Sequence, residues 1–409
     1  MRIVLAFASL FLSVVLLQIS SGAVGPLDAL TGLSSGFSKP EVGFLGSAHF
    51  FGFFIGCWWA PRLLGDVGHA RSYATFTAMG AIGLAAHITI TDPSWWAAFR
   101  ILQGICVAGC YTVIESWLQA KVTNESRGRT MGVYRILDVE ASLIAQGMIG
   151  YLADMQTYLA YNLLTMICCA SLLPMAISRA EQPLTPAATR LRPSIAWARS
   201  PLATAGVIVA ALSAASFRMV GPIYGQEVGL TPDQIGIFLA SFVAGGAIAQ
   251  YPVGWLADKF DRRWVLIWLS VAAVAACAIT VLIAGNGTTA ILTSAAIFGF
   301  TTFPIYSVSA AHAHDFATDE ERVELSAALM FFYAVGAIGA PYTASALIEA
   351  FGSGALFALI SAGHVVLVVF GLIRMRARPT RALKTPYVYA PRTSFVIGRL
   401  LGRSRDSQR

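Results

Sequence analysis

Long uncharged apolar runs recur along the chain at about 3–24, 42–64, 72–91, 95–119, 131–152, 158–178, 202–225, 235–257, 263–283, 289–313, 324–349 and 354–375. A helix needs about 20 such residues to cross the hydrocarbon of a bilayer. Short polar loops separate the runs. The pattern predicts an all-α membrane protein with twelve transmembrane helices, numbered here as spans 1 to 12. The first run follows Arg2 and ends near Ser21-Gly22-Ala23, which is also the layout of a cleavable signal peptide. The internal repeat described below favours its retention as span 1.

Composition sharpens this picture. The 409 residues are 56% hydrophobic and 12% charged, with a mean hydropathy of +0.67. Soluble domains run near ~25% charged. A soluble enzyme, a secreted disulfide scaffold and a nucleic-acid binder are thereby excluded. The net charge of +7 and the isoelectric point near 9.2 would suit a nucleic-acid partner, but the placement of the charge does not. Ten of the 28 basic residues fall between Arg374 and Arg409, and most others sit in alternate loops. The six cysteines all lie in apolar runs, where thiols behave as small hydrophobes.

The basic residues set the expected topology. Loops after spans 2, 4, 6, 8 and 10 hold Arg62 and Arg71; Lys121, Arg127 and Arg129; Arg179, Arg190, Arg192 and Arg199; Lys259, Arg262 and Arg263; and Arg322. The opposite loops hold Lys39 alone, while Arg100, Arg135 and Arg218 lie inside spans. Lys and Arg concentrate on the cytoplasmic side, so both termini are expected there, in a multi-pass protein of a bacterial inner membrane. The chain divides into a six-helix bundle over 1–178, a basic linker over 179–201, a second bundle over 202–375 and a basic tail over 376–409. In the tail, Phe395, Val396, Ile397, Leu400 and Leu401 alternate with Arg399 and Arg403. Both an interfacial helix on anionic lipid and a disordered tail fit that pattern.

The halves repeat. At an offset of 193, Gly36-Phe-Ser-Lys-Pro-Glu-Val-Gly43 falls on Gly229-Leu-Thr-Pro-Asp-Gln-Ile-Gly236. The same offset sets Pro61-Arg-Leu-Leu-Gly-Asp-Val-Gly68 on Gly254-Trp-Leu-Ala-Asp-Lys-Phe-Asp261. Gly25-Pro26 and Gly221-Pro222 are expected to break spans 1 and 7 at matching places. The second bundle's Gly254-Trp-Leu-Ala-Asp-Lys-Phe-Asp-Arg-Arg263 resembles the signature loop of the major facilitator superfamily, and Arg100-Ile-Leu-Gln-Gly104 resembles its span 4 motif. The first-bundle copy of the loop is degenerate, with Gly65 where the acid is expected and Asp66 one place off. The stretches Val113-Ile-Glu-Ser-Trp117, Arg127-Gly-Arg129, Gly299-Phe-Thr-Thr-Phe-Pro304 and Tyr333-Ala-Val-Gly-Ala-Ile-Gly-Ala-Pro341 are similar to the YcaD-type branch. Within that neighbourhood the chain is similar to riboflavin importers of the RfnT type. The resemblance covers nearly all of the chain except the tail.

It implies two homologous six-helix bundles, a substrate site at the midplane between them, and alternating access. It also implies that spans 1, 4, 7 and 10 line a cavity, with spans 5, 8 and 11 beside it, and that Gly254, Asp258, Arg262 and Arg263 act in gating. A charge at the bilayer centre costs about 2.5–3.5 kcal/mol on the insertion scale, so each buried charge needs a reason. In span 5, Arg135 and Asp138 share a face and Glu140 points elsewhere. Glu115 at the end of span 4 can reach Arg135 or Arg129. These residues suit either proton and substrate handling or a static ion network. Asp28 and Arg218 are expected to form a gate pair, with Arg218 alternatively holding substrate oxygen. Arg100 carries the family's implied role in proton coupling. Gln103 and Gln18 are candidates for ligand contact or interhelical bonds.

His312 and His314, next to Asp315, read as interfacial rather than as metal ligands. Cys106 and Cys110 read as core packing, and no metal or cofactor is expected. The aromatics Phe217, Tyr224, Phe303, Tyr306, Phe332, Tyr333, Tyr111 and Trp117 suit a flat, neutral ligand. The expectation is a monomeric secondary transporter of a small organic solute, with riboflavin uptake as the specific reading and proton-coupled efflux of drugs, sugars or metabolites as the alternative. A non-transporting assembly factor or sensor with the same fold is the rival of another class. No nucleophile–His–acid set or phosphate loop supports an enzyme.

Overall fold

The computed structural model describes residues 7–122, 124–177, 191–318, 321–377 and 387. Among them there are sixteen helices and no strand. The chain divides into two compact units, Met1–Ala188 and Thr189–Arg409. The first holds α1 (Ala8–Ser34), α2 (Lys39–Val67), α3 (His69–Ala86), α4 (Pro93–Lys121), α5 (Asn124–Gly147), α6 (Ile149–Asp154), α7 (Thr157–Ala170) and α8 (Leu172–Ala176). The second holds α9 (Ser194–Arg199), α10 (Pro201–Glu227), α11 (Pro232–Lys259), α12 (Arg262–Leu282), α13 (Thr288–Thr302), α14 (Pro304–His314), α15 (Arg322–Phe351) and α16 (Ala355–Ala377). The tail around Phe395, the linker residues Arg179 and Arg190, and Arg2 lie outside the described residues.

Three expected spans are built from two helices each. Span 5 is α5 with α6, span 6 is α7 with α8, and span 10 is α13 with α14. Span 10 interrupts at Phe303 because Pro304 has no N–H to continue the ladder. Among the described residues, eleven helical runs are long and apolar enough to cross a membrane. The twelfth expected span, α3, has 18 residues. His69, Arg71, Ser72 and Tyr73 in its first turns lower its mean hydropathy. Span 1 is an integral part of its unit, with Val14, Leu17, Val24 and Leu27 all buried.

The Gly-Pro pairs do not break their helices as expected. Pro26 lies inside α1 and Pro222 inside α10, and both helices run on for several residues. Proline removes one hydrogen bond and tilts the preceding turn, which a helix packed among membrane helices absorbs.

The repeat appears as repeated chemistry. Ser38 caps α2 by accepting from the Glu41 N–H, and Glu41 accepts in return from the Ser38 N–H at 2.8 Å. One offset later Thr231 and Gln234 form the same reciprocal box at the start of α11. The turn before each box is made by a glycine at positive φ, +91° at Gly36 and +82° at Gly229, a conformation other residues rarely adopt. Packing repeats as well: α1 lies on α5 as α10 lies on α15, α2 on α4 as α11 on α13, and α3 on α7 as α12 on α16.

The second pairing is the tightest. A methyl group on Gly52 would overlap the Ile101 carbonyl oxygen, and one on Gly104 would overlap that of His49. In the second unit Gly245 meets the Ala296 oxygen and Gly299 the Phe242 oxygen in the same way.

The short helix α9 is strapped to the start of α15. Arg192 pairs with Glu324 and Arg199 with Glu321, all in the second unit. The hydrogen bond from Arg199 holds the Glu321 carboxyl below its usual range. A carboxyl with a lowered folded value contributes fully above its unfolded value, ~4.3, and loses that contribution as pH falls through the folded value. Glu321→Gln is therefore expected to speed amide exchange over 194–199 a few-fold at neutral pH, as loss of a partly exposed pair should. The difference from the parent should vanish in strong acid, and hydrogen–deuterium exchange at both pH values checks it.

Candidate functional site

The first unit buries a four-residue polar cluster drawn from four helices. Asp28 lies two residues past Pro26 on α1, His87 caps the end of α3, Arg100 stands two turns into α4, and Tyr161 is on α7. Their exposures are 2%, 1%, 2% and 0%. The Tyr161 hydroxyl donates to Oδ1 of Asp28 at 2.6 Å. Oδ2 faces Nε of Arg100 at 3.4 Å and Nε2 of His87 at 3.6 Å. Arg100 also donates from Nη1 to Oε1 of Gln103 at 2.6 Å. Rings close the site: His87 stacks on Tyr161 at 5.0 Å and meets Trp96 at 5.0 Å.

This geometry revises the expected roles. Both oxygens of Asp28 are engaged inside its own unit. Arg100 and Gln103, expected together on span 4, do act together. A crevice beside the cluster is lined by Ser20, His49, Arg100, Gln103, Cys106 and Cys168. Leu17, Val24, Leu84 and Val107 also line it.

A second set ties α1, α4 and α5. The Tyr111 hydroxyl donates to Oδ1 of Asp138 at 2.9 Å and stands 3.0 Å from Oε1 of Gln18. Nearby on the same helices, Tyr134 donates to Glu115 at 3.2 Å. Asp138 and Gln18 are thus brought together, and Arg135 is half-buried on the same helix. Glu140 is exposed and takes no part in this set.

In the second unit Arg262 is 1% exposed. It donates to Asp315 at 2.7 Å, to Asp258 at 3.1 Å and to the Ala311 carbonyl at 3.0 Å. The loop thereby clamps α11 and α12 to the end of α14. Arg263 forks onto Asp261, which also caps α12. Gly254 faces the ring of Tyr387. Asp66, in the degenerate first-unit copy, is exposed and forms no ion pair among the described residues.

Arg218 is half-buried with its guanidinium 5.8 Å from the Phe303 ring centroid. Tyr306 and Tyr333 meet edge to face at 5.5 Å.

Several aromatics expected to face a ligand are instead core. Phe217 is 0% and Tyr224 1% exposed. Phe217 packs on Phe238, Phe242 and Phe298 within 5.2 Å. Cohesion of the second unit uses them up, because aromatic rings pack edge and face with one another. His312 and His314 are buried in the last turn of α14, and His314 stands 3.1 Å from the Ser326 hydroxyl. Cys106 and Cys168 pack around Gly80.

His87 and Tyr161 are the site residues that the pattern does not mark. The only signal for His87 is an imidazole in the run Leu84-Ala-Ala-His-Ile-Thr-Ile90, which reads as the interfacial end of a span.

Comparison with known proteins places this geometry. The family model for the Major Facilitator Superfamily matches residues 10–208 and 203–404. An uncharacterized MFS-type transporter of Enterobacter sp. (strain 638) is 25% identical over 346 residues, covering 83% of this chain and 88% of its own. The uncharacterized MFS-type transporter YcaD of Salmonella heidelberg (strain SL476) is 26% identical over 332 residues, 78% of this chain and 83% of its own.

Among solved structures, the nucleoside transporter NupG superposes with a TM-score of 0.75 at 13% identity, covering 92% of this chain and 100% of its own. A D-xylose-proton symporter does so at 0.62 with 12% identity, covering 89% and 97%. These superpositions speak for the fold. The family match spans both halves, and the chain belongs to the major facilitator superfamily of membrane transporters.

Proposed function

We propose that this chain is a proton-coupled secondary transporter of a small organic solute in a bacterial inner membrane, with both termini cytoplasmic. The carrying observation is Asp28, a carboxylate 2% exposed inside a span and served by Arg100, His87 and Tyr161. Such a charge is costly in the bilayer and marks proton and ion pathways. A D-xylose-proton symporter with the same fold supports the coupling.

Riboflavin uptake is the specific reading. It draws on the resemblance set out above.

The test is uptake of labelled riboflavin by riboflavin-auxotrophic bacteria making this chain. Saturable uptake that a protonophore collapses, and that Asp28→Asn abolishes, is the expected result. Saturable uptake indifferent to the protonophore would remove the coupling. No uptake, with the protein present in the membrane, would remove riboflavin import. Everted vesicles that accumulate a solute on acidification of their lumen would then favour proton-driven efflux.

A further inference from the structure

Within the proton-coupled reading, on which this inference rests, the Asp28 cluster leaves one proton to be placed. Nδ1 of His87 lies 2.6 Å from the Gly83 carbonyl oxygen, one turn back on α3. A lone pair there would face another lone pair, so Nδ1 carries a hydrogen and donates it. That choice fixes the tautomer, and a neutral His87 then presents a bare Nε2. Nε2 faces Oδ2 of Asp28 at 3.6 Å. Both atoms are buried and neither has a hydrogen-bond partner. Two opposed acceptors away from water are costly, and one added proton satisfies both.

Two atoms compete for that proton. Oδ1 of Asp28 already accepts from Tyr161, and Oδ2 already faces the Arg100 guanidinium. The remaining groups against the imidazole are the rings of Trp96 and Phe99 from α4 and of Tyr161 from α7, all neutral. The charges facing it are Asp28 and Arg100.

We infer that Nε2 of His87 takes up the coupling proton, forming an imidazolium paired with the Asp28 carboxylate. The proton comes from hydronium: its O–H bond breaks as the Nε2–H bond forms, and neutral water leaves. Because Arg100 and the new imidazolium share Oδ2, loading His87 competes with the Arg100 pair. Protonation is thereby coupled to how firmly α4 is held to α1. This differs from a carrier in which the carboxyl itself is protonated, and it makes His87 the proton carrier and Asp28 the residue that positions it.

Infrared difference spectra of the full chain in lipid nanodiscs test this, recorded between acidic and alkaline pH with isotope-labelled histidine and no solute. The expected result is an imidazole-to-imidazolium change that is lost in His87→Gln. No protonated-carboxyl band should be assignable to Asp28. His87→Phe keeps a ring on Tyr161 and serves if the glutamine variant does not elute as a single species. Asp28→Asn leaves the imidazole in place and is expected to weaken its hold on the proton about tenfold or more.

A protonated-carboxyl band that disappears in Asp28→Asn would overturn the inference. So would a histidine signal that Asp28→Asn does not move. No gradient or solute enters the measurement. Protonophore-insensitive flux would therefore sink the coupled-transport reading while the His87 proton remained in place.

Discussion

Gly52→Ala and Gly245→Ala are each expected to leave little folded protein in membrane extracts, although each adds only one methyl group. The methyl would have no free space, since on Gly52 it would overlap the Ile101 carbonyl oxygen and on Gly245 that of Ala296. A flexible side chain could swing aside, but a backbone carbonyl inside a helix cannot move without parting the helices. Membrane helices have little hydrophobic drive to associate and depend on close packing of this kind. Close backbone approach also brings Cα–H groups onto carbonyl oxygens, a weak attraction that separation forfeits.

Overpacking of a tight core costs about 1–3 kcal/mol, and more when the backbone must shift. The lost packing of α2 on α4, or of α11 on α13, adds to it. Gly339→Ala is the control. Its methyl would meet nothing within 4 Å, and alanine is the better helix former by about 1 kcal/mol. Monodisperse yield after detergent extraction and the thermal unfolding midpoint should fall sharply for both tight positions and hold or rise for Gly339→Ala. Equal behaviour of all three would show that the helices do not approach as described.

That prediction marks the boundary of what the sequence makes legible. The repeat at an offset of 193 is readable at Gly36 and Gly229 because turn and capping chemistry is local. A Ser-x-x-Glu or Thr-x-x-Gln box needs only neighbouring residues to act. The same offset relates Gly52 to Gly245, but a glycine in an apolar run carries no sign of what lies across from it. Its partner, a carbonyl of Ile101 or Ala296, is set by helix packing.

The candidate site divides along the same line. Asp28, Arg100 and Gln103 stand out because charge and amide are rare in such runs. Their pairing does not, since Asp28 meets Arg100 only through the packing of α1 against α4. Inside its own unit Asp28 also meets His87 and Tyr161, which the pattern does not mark. Tyr161 and Tyr134 escape notice because a tyrosine reads as apolar until its hydroxyl has an acceptor, here Asp28 and Glu115. The aromatic reading errs in the other direction. Phe217 and Tyr224 look like ligand platforms in one dimension, yet they stack on Phe238 as core. Aromatic content alone therefore gives little weight to any particular solute.

The buried pair itself supports the prediction that best separates structure from function. Arg100→Met would leave the Asp28 carboxylate without its guanidinium, and Asp28→Asn would leave a guanidinium 2% exposed without its counter-charge. Breaking a buried pair from one side costs about 3–5 kcal/mol, because the remaining charge stays desolvated. Removing both partners is much cheaper, and replacement by well-packed neutral residues is often neutral or better.

The Asp28→Asn/Arg100→Met double variant is accordingly expected to recover most of the thermal stability that either single change loses. The introduced asparagine would keep an acceptor for Tyr161, whose 2.6 Å bond to Oδ1 needs only an oxygen there, and methionine fills the arginine stem's volume. Protonophore-sensitive flux should stay absent in the double variant, since no carboxylate remains to hold a proton-bearing partner. Stability and flux thus part company within one series of variants, measured by unfolding midpoints and by uptake in the same membranes. If stability and flux returned together, the pair would be a structural strut with no part in coupling. If neither returned, the cluster would depend on Gln103 and His87 more than on the ion pair.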